Sequence, residues 1–260
     1  MQTVSSEPDA SSPSSQLRAL AVAILLAIAG PALGIAFVFL VSVPLVLTGI
    51  EITPILNISI SLVFLTWGGI GGMAFLYLRY RNEDLSYFGI HLPGPRDILA
   101  AGIGYVAALG LGYSSVILVS QLNVETGTNQ AAQLGMENPE VLLLLIPASF
   151  LFIGVGEELL FRGVVQSRLR ESFSPAVGIL LASVIFAAIH FFAIGGTPMA
   201  RLTSISILLL PSVVFGIVYE YTDNLLVPIF IHGAYDATIF FFLYLAVKFG
   251  TVPQESFLFF

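Results

Sequence analysis

The stretch ALAVAILLAIAGPALGIAFVFLVSVPLVL, residues Ala19–Leu47, contains no charged side chain. A membrane-spanning helix needs about 20 consecutive, mostly apolar residues, so this stretch is long enough to cross a bilayer. Further apolar stretches follow it at Ile52–Leu78, Ile98–Leu122, Val141–Arg168, Pro175–Ile194, Leu202–Tyr219 and Leu225–Val247. The sequence therefore predicts an all-α fold, a polytopic membrane helix bundle of about seven spans. Eight is the alternative, because the first and fifth stretches are long enough to hide a further short piece.

The composition also favours a membrane protein. The chain is 57% hydrophobic and only 10% charged, whereas an ordinary soluble domain carries about 25% charged residues. So few charges cannot cover the surface of a soluble fold of this size. The chain has no cysteine and a formal net charge of −7, which leaves no thiol chemistry and no basic patch for nucleic acid. We expect the lipid bilayer as a partner and no nucleic acid.

The distribution of lysine and arginine predicts the orientation, because loops rich in these residues stay on the cytoplasmic side. With seven spans, the N-terminal side receives Arg18, Arg79, Arg81, Arg96, Arg168 and Arg170, and the opposite side receives Arg201 and Lys248. The sequence thus predicts a multi-pass protein of the cell membrane with a cytoplasmic N-terminus.

Glycines recur at helical spacing in two of the apolar stretches. They are Gly68, Gly69, Gly71 and Gly72 in the second stretch, and Gly102, Gly104, Gly110 and Gly112 in the third. Small residues on one face let transmembrane helices approach closely. We therefore interpret these glycines as packing surfaces.

Ionisable side chains inside the apolar stretches occur only in the C-terminal half. They lie in three strings: GEELLFRG with Glu157, Glu158 and Arg162, FAAIH with His190, and HGAYD with His232 and Asp236. A charge at membrane depth costs about 2.5–3.5 kcal/mol on insertion scales. Because inserting such residues into the membrane costs free energy, their presence indicates a functional site.

The spacing within the strings predicts which side chains meet. Residues four apart lie on one helix face, so Glu158 can pair with Arg162, and His232 lies beside Asp236. Glu157 is turned about 100° from Glu158 and is free to face another helix. Each string alone has a structural alternative, such as a helix end at the interface, a buried histidine bonded to a carbonyl, or a His–Asp pair. Packing does not explain why all three occur together, and the set is able to activate water.

The ordered strings resemble the motifs of the CPBP (Abi-type) intramembrane proteases, which include the type II CAAX prenyl endopeptidase, or Ras-converting enzyme. The family pattern is Glu-Glu-x-x-x-Arg, Phe-x-x-x-His and His-x-x-x-Asn/Asp, and the resemblance covers roughly Val141–Leu245. It implies that Glu157 and His190 polarise a water molecule for attack on a peptide carbonyl, and that His232 stabilises the oxyanion. It further implies that Asp236 aids His232 as a fourth catalytic residue. Supporting roles fall to the Glu158–Arg162 ion pair and to Phe186 as packing next to the site.

Asp236 departs from the family pattern, which often has asparagine at this position. An ionised carboxylate cannot donate a hydrogen bond to an oxyanion, whereas asparagine can. Either Asp236 is protonated, or it orients His232 as a carboxylate orients the histidine of a Ser-His-Asp triad. We favour the orienting role.

We divide the chain into three parts. The polar, Ser/Pro-rich composition predicts a disordered N-terminal tail at residues 1–17, and the apolar stretches predict N-terminal transmembrane helices at 18–136. The resemblance implies a CPBP-like catalytic transmembrane core at 137–250. It implies an endopeptidase that hydrolyses a peptide bond of a membrane-associated or lipidated, CAAX-like protein near the cytoplasmic face. The alternatives are a membrane transporter or proton-relay protein that uses buried Glu, His and Asp side chains, and a catalytically silent immunity-type member of the family.

A metal is the remaining question of the chemistry, because the family has carried the label metalloprotease. Glu157, His190 and His232 are acceptable zinc ligands, as is Asp236, and a catalytic zinc needs three such ligands and a water. The chain lacks the His-Glu-x-x-His helix that supplies zinc ligands and base together. We expect metal-free glutamate catalysis without a cofactor, with zinc held by the first three residues as the alternative.

Overall fold

The computed structural model describes residues 12–250, in which seven helices are long and apolar enough to cross a membrane. They are α1 (Pro13–Leu47), α2 (Pro54–Arg81), α3 (Pro95–Gln121), α4 (Pro139–Arg170), α5 (Pro175–Phe192), α6 (Pro198–Thr222) and α7 (Leu226–Phe249). The prediction of an all-α, polytopic bundle with seven spans is confirmed.

Short elements connect some of the spanning helices. A 3₁₀ turn at Leu85–Phe88 lies between α2 and α3, and a short helix at Gln130–Glu137 precedes α4. Two short strands, β1 (Thr128–Asn129) and β2 (Ile194–Gly195), pair antiparallel. Because β2 follows α5 directly, this ribbon fastens the end of α5 to the segment that leads into α4.

Three spanning helices depart from regular α geometry near the polar residues. In α2, the stretch Ser61–Gly71 is π-helical. In α4, π-helical stretches at Ser149–Ile153 and Leu159–Gln166 flank the α-helical segment Gly154–Glu158, which carries both glutamates. Helix α5 ends in a 3₁₀ turn at His190–Phe192. Irregular turns of this kind occur frequently at functional sites, so the backbone itself marks this region.

The first spanning helix begins earlier than the sequence indicated. The hydroxyl of Ser12 accepts a hydrogen bond from the backbone N–H of Ser15, and Pro13 occupies the first helical position, where its missing N–H costs nothing. The expected tail over residues 1–17 is therefore wrong for residues 13–17, which are helical. Residues 1–11 of that tail lie outside the described part of the chain.

The C-terminal helices form the interior of the bundle. Within the most apolar window of each helix, 17% of the residues are buried in α1 and 22% in α3, against 50% in α6 and 56% in α7. Helices α1 and α3 therefore present most of their apolar surface outward, as helices in contact with lipid do, and α6 and α7 line the centre where the polar strings lie.

The predicted glycine packing surfaces are confirmed at some positions and wrong at others. A Cβ built on Gly69 would lie 2.3 Å from the Cα of Gly34 in α1, so these two helices touch backbone to backbone. Close neighbours likewise surround Gly104 and Gly112. A Cβ on Gly102 or Gly110 would meet no atom of residues 12–250 within 4 Å, so the prediction fails there.

This difference leads to a stability prediction. We expect Gly69→Ala to lower the free energy of unfolding by about 1–3 kcal/mol, because overpacking forces the backbones of α1 and α2 apart. Gly102→Ala is the matched control, and its open site should leave stability unchanged or raise it slightly, since alanine favours helix over glycine. Thermal unfolding of the purified variants in detergent measures both effects, and equal melting temperatures would contradict the backbone contact.

Candidate active site

Glu157 lies between the two histidines of the neighbouring helices. Its Oε2 atom is 3.8 Å from Nε2 of His190 and 3.9 Å from Nε2 of His232. These separations exceed a direct hydrogen bond, and a bridging water molecule can span such a distance. Helices α4, α5 and α7 thus bring together the three side chains that the motifs single out.

The end of α5 fixes the ring of His190. The residue opens the 3₁₀ turn that terminates the helix, and its Nδ1 atom lies 2.8 Å from the backbone carbonyl oxygen of Phe186. Since a carbonyl only accepts, Nδ1 carries the hydrogen, and Nε2 presents its lone pair toward Glu157 in the neutral ring. The ring of Phe186 packs 4.6 Å from that of His190, centroid to centroid, and helps to hold this orientation.

His232 is held by Glu158, which the sequence assigned only to an ion pair. The Nδ1 atom of His232 donates to Oε1 of Glu158 at 2.7 Å, and both side chains are buried. Asp236 Oδ2 lies 3.4 Å from the other ring nitrogen, Nε2. The carboxylate in the position of a triad aspartate is therefore Glu158, while Asp236 contacts the opposite ring nitrogen, and its orienting role stays a prediction. Asp236, one turn along α7, reaches only the nitrogen that points into the site.

Arg162 completes this buried network. Its Nη1 donates to Oε1 of Glu158 at 2.8 Å, as the spacing of four predicted, and its Nη2 donates to the backbone oxygen and the hydroxyl of Ser212, each at 2.9 Å. A buried ion pair stabilises only when its geometry is good and its remaining hydrogen-bonding groups find partners. Arg162 meets this condition, whereas Oε2 of Glu158 is buried without a hydrogen-bond partner among the described residues. Phe186 lies under the guanidinium, 4.8 Å from ring centroid to Cζ.

Sequence reasoning missed the contribution of α6. Phe215 stacks on the ring of His232, with centroids 5.1 Å apart and ring planes inclined by 23°. Ser212 accepts the two hydrogen bonds from Arg162 described above. The charged residues of this helix, Arg201 and Glu220, lie near its two ends and not beside the site. The only signal available was the pair itself, a serine and an aromatic residue three positions apart and therefore on one helix face.

Two cavities meet the polar residues. The larger, of about 350 Å³, is lined by Glu157 and His190. The narrower, of about 90 Å³, is lined by His190, His232 and Asp236. His190 and Asn129 of strand β1 line both cavities, so the ribbon lies where the two spaces adjoin.

Within residues 12–250, no three His, Asp or Glu side chains are grouped so as to hold a metal ion.

Comparisons with known proteins agree with the motifs. Residues 139–238 match the family described as "Type II CAAX prenyl endopeptidase Rce1-like". Over 88 residues the chain is 40% identical to "Uncharacterized protein YpbD" of Bacillus subtilis (strain 168), a match that covers 34% of this chain and 39% of the relative. The chain thus spans about two fifths of that relative's length, and no solved structure matches it. All seven residues singled out by the motifs lie in the matched segment. The family recognised from the motifs is confirmed over this segment: residues 139–238 of this multi-pass membrane protein match the type II CAAX prenyl endopeptidase Rce1-like family.

Proposed function

We propose that the protein is an intramembrane endopeptidase that hydrolyses a peptide bond of a membrane-associated or lipidated, CAAX-like protein. The observation that carries the proposal is the convergence of two imidazole Nε2 atoms on Oε2 of Glu157, at 3.8 and 3.9 Å, within an apolar bundle. The family of residues 139–238 is one of endopeptidases, which supports the same chemistry.

In the proposed reaction, Glu157 is the general base. A water molecule held between Glu157 and Nε2 of His190 transfers one proton to the carboxylate as its oxygen bonds to the peptide carbonyl carbon. Glu157 later passes this proton to the leaving amine, so that one new carboxyl group and one new amino group form. A positioned general base of this kind contributes about 10²–10⁴-fold to a rate.

His232 is the proposed oxyanion donor. Glu158 accepts the hydrogen of its Nδ1 atom, so the doubly protonated ring can present Nε2–H to the developing oxyanion. The carboxylate of Asp236, 3.4 Å from that nitrogen, favours this charged ring electrostatically. An oriented donor in a site shielded from water is worth about 2.7–4 kcal/mol in soluble proteases.

The experiment is cleavage of a membrane-anchored peptide substrate by the purified protein and by His190→Ala and His232→Ala. We expect each substitution to slow cleavage by about 10²–10³-fold, because His232→Ala removes an oxyanion donor and His190→Ala removes the group that positions the attacking water. His91→Ala is the matched control, because the third histidine of the chain is exposed in a loop and should cleave at the parent rate. If His190→Ala and His232→Ala cleaved as fast as His91→Ala and the parent, the proposal would be overturned. Solute flux through liposomes without cleavage would favour a transporter.

We further propose that the reaction proceeds without a metal. If zinc were bound, Glu157, His190 and His232 would be the ligands. We expect purified protein to keep its full cleavage rate after treatment with a chelator, and elemental analysis of the active protein to find less than one zinc per chain. Loss of activity on chelation that is restored by added zinc would contradict metal-free catalysis.

A further inference from the structure

We infer that the catalytic cavities open toward the membrane face opposite the arginine-rich loops, so that the substrate enters from the extracytoplasmic side. The inference rests on the proposed function in one respect, that the protein has a peptide substrate. The direction in which the cavities open follows from the fold. We call the face formed by residues 82–94, 171–174 and 223–225 the arginine-rich face, and the face formed by residues 48–53, 122–138 and 193–197 the opposite face.

Contacts between helix ends define the arginine-rich face independently of hydropathy. Arg81 at the end of α2 pairs with Glu171 after α4 at 3.2 Å, and Arg170 pairs with Glu220 near the end of α6 at 2.9 Å. The guanidinium of Arg96, at the start of α3, donates to the backbone oxygen of Tyr221 at 3.0 Å. Four helix ends therefore meet on one side, as seven alternating spans require.

The lining of both cavities comes from the other half of the bundle. The larger cavity extends from Glu157 to Asn57 and Ser61, near the start of α2, and to Gln130 and Ala193 on the opposite face. The narrower cavity extends from His232 and Asp236 to the ribbon, at Asn129 and Ile194. Within the described residues, neither cavity is lined by any residue of segments 82–94, 171–174 or 223–225.

Below the polar residues the path toward the arginine-rich face is closed. The Glu158–Arg162 pair is buried. The next turns of α4 carry Phe161, Val164, Val165 and Leu169, which form one cluster with Phe88 and Leu225, and all six side chains are fully excluded from solvent. A peptide therefore has no route to Glu157 from that side in this conformation.

The direction of opening determines the class of substrate. Loops rich in arginine stay in the cytoplasm, so the opposite face, which carries Arg201 and Lys248, is extracytoplasmic. The peptide bond that is cut then belongs to a secreted or membrane-anchored protein whose susceptible segment has already crossed the membrane. This replaces the expectation of cleavage near the cytoplasmic face. Of the substrates proposed above, it keeps the membrane-associated protein and excludes a CAAX-like protein whose susceptible segment stays in the cytoplasm.

Single cysteines test the inference, because the chain contains none of its own. Glu125→Cys on the opposite face and Glu83→Cys on the arginine-rich face are a matched pair, since both glutamates are exposed in loops. Ser61→Cys changes only one atom and lies in the lining of the larger cavity. Each variant is expressed in cells and treated with a small, charged, membrane-impermeant thiol reagent before and after permeabilisation.

We expect Glu125→Cys and Ser61→Cys to react in intact cells, and Glu83→Cys to react only after permeabilisation. The reverse pattern would overturn the inference, and so would a reactive Glu125→Cys with a Ser61→Cys that no reagent reaches from outside. Labelling does not require catalysis. The direction of opening can therefore be established even if His190→Ala and His232→Ala show that the protein is not a protease. Conversely, cleavage in detergent together with the reverse labelling pattern would remove the inference alone.

Discussion

The Glu157→Gln variant is expected to lose cleavage activity by about 10²–10⁴-fold, the contribution of a positioned general base. Glutamine keeps the size of the side chain and removes only its ability to accept the proton of water. The rate of product formation by purified protein measures the effect. Glu140→Gln is the matched control, because Glu140 is exposed at the start of the same helix, α4, and should leave the rate unchanged.

This variant should remain folded, which separates catalysis from stability. The ion-pair contacts of Glu157 with the two histidines are 3.8 and 3.9 Å long, so a neutral amide disturbs no short bond between them. We therefore expect the melting temperature of Glu157→Gln to stay close to that of the parent. A variant that cleaves at the parent rate would remove Glu157 as the base, whatever its stability.

Arg162→Ala is expected to have the largest effect on stability. Removing one partner of a buried ion pair costs about 3–5 kcal/mol, because it leaves the other charge buried and less well compensated. Here the substitution also removes two hydrogen bonds to Ser212 and leaves empty the space that the guanidinium fills over the ring of Phe186. The midpoint of thermal or denaturant unfolding in detergent measures the loss.

Arg170→Ala is the control for this substitution. Arg170 also pairs with a glutamate, Glu220 at 2.9 Å, but both side chains are more than a quarter exposed, and partly exposed pairs contribute about 0–1 kcal/mol. If Arg162→Ala lowered stability no more than Arg170→Ala does, the network behind His232 would not be the support that its geometry indicates.

The spans and the three strings could be predicted from the sequence, because each rests on a local rule. Lipid leaves the backbone no partner but itself, so long apolar stretches must be helical. The Glu158–Arg162 pair follows from a spacing of four on one helix. The contact between Glu158 and His232 does not follow from any local rule, because it depends on how α4 and α7 are rotated and how closely they approach.

Glycine sets that approach, in a way that the sequence pattern did not reveal. A Cβ on Gly154 of α4 would lie 2.8 Å from the backbone oxygen of Ile229, and one on Gly233 of α7 would lie 2.9 Å from the Cα of Phe150. These two glycines lie beside the polar contact and let the backbones come close enough for the 2.7 Å bond between Glu158 and His232. The β1–β2 ribbon beside His190 could not be predicted from the sequence either, since strands of two residues carry no alternating pattern.

The most direct test of the account is mass spectrometry of the products that the purified protein releases from membrane-anchored peptides in detergent. The account predicts two fragments for each substrate cut, one with a new carboxyl terminus and one with a new amino terminus, and no fragments above background with Glu157→Gln. Intact substrates with the parent protein, or the same fragments at the same rate from Glu157→Gln, would contradict a glutamate-activated water as the source of cleavage.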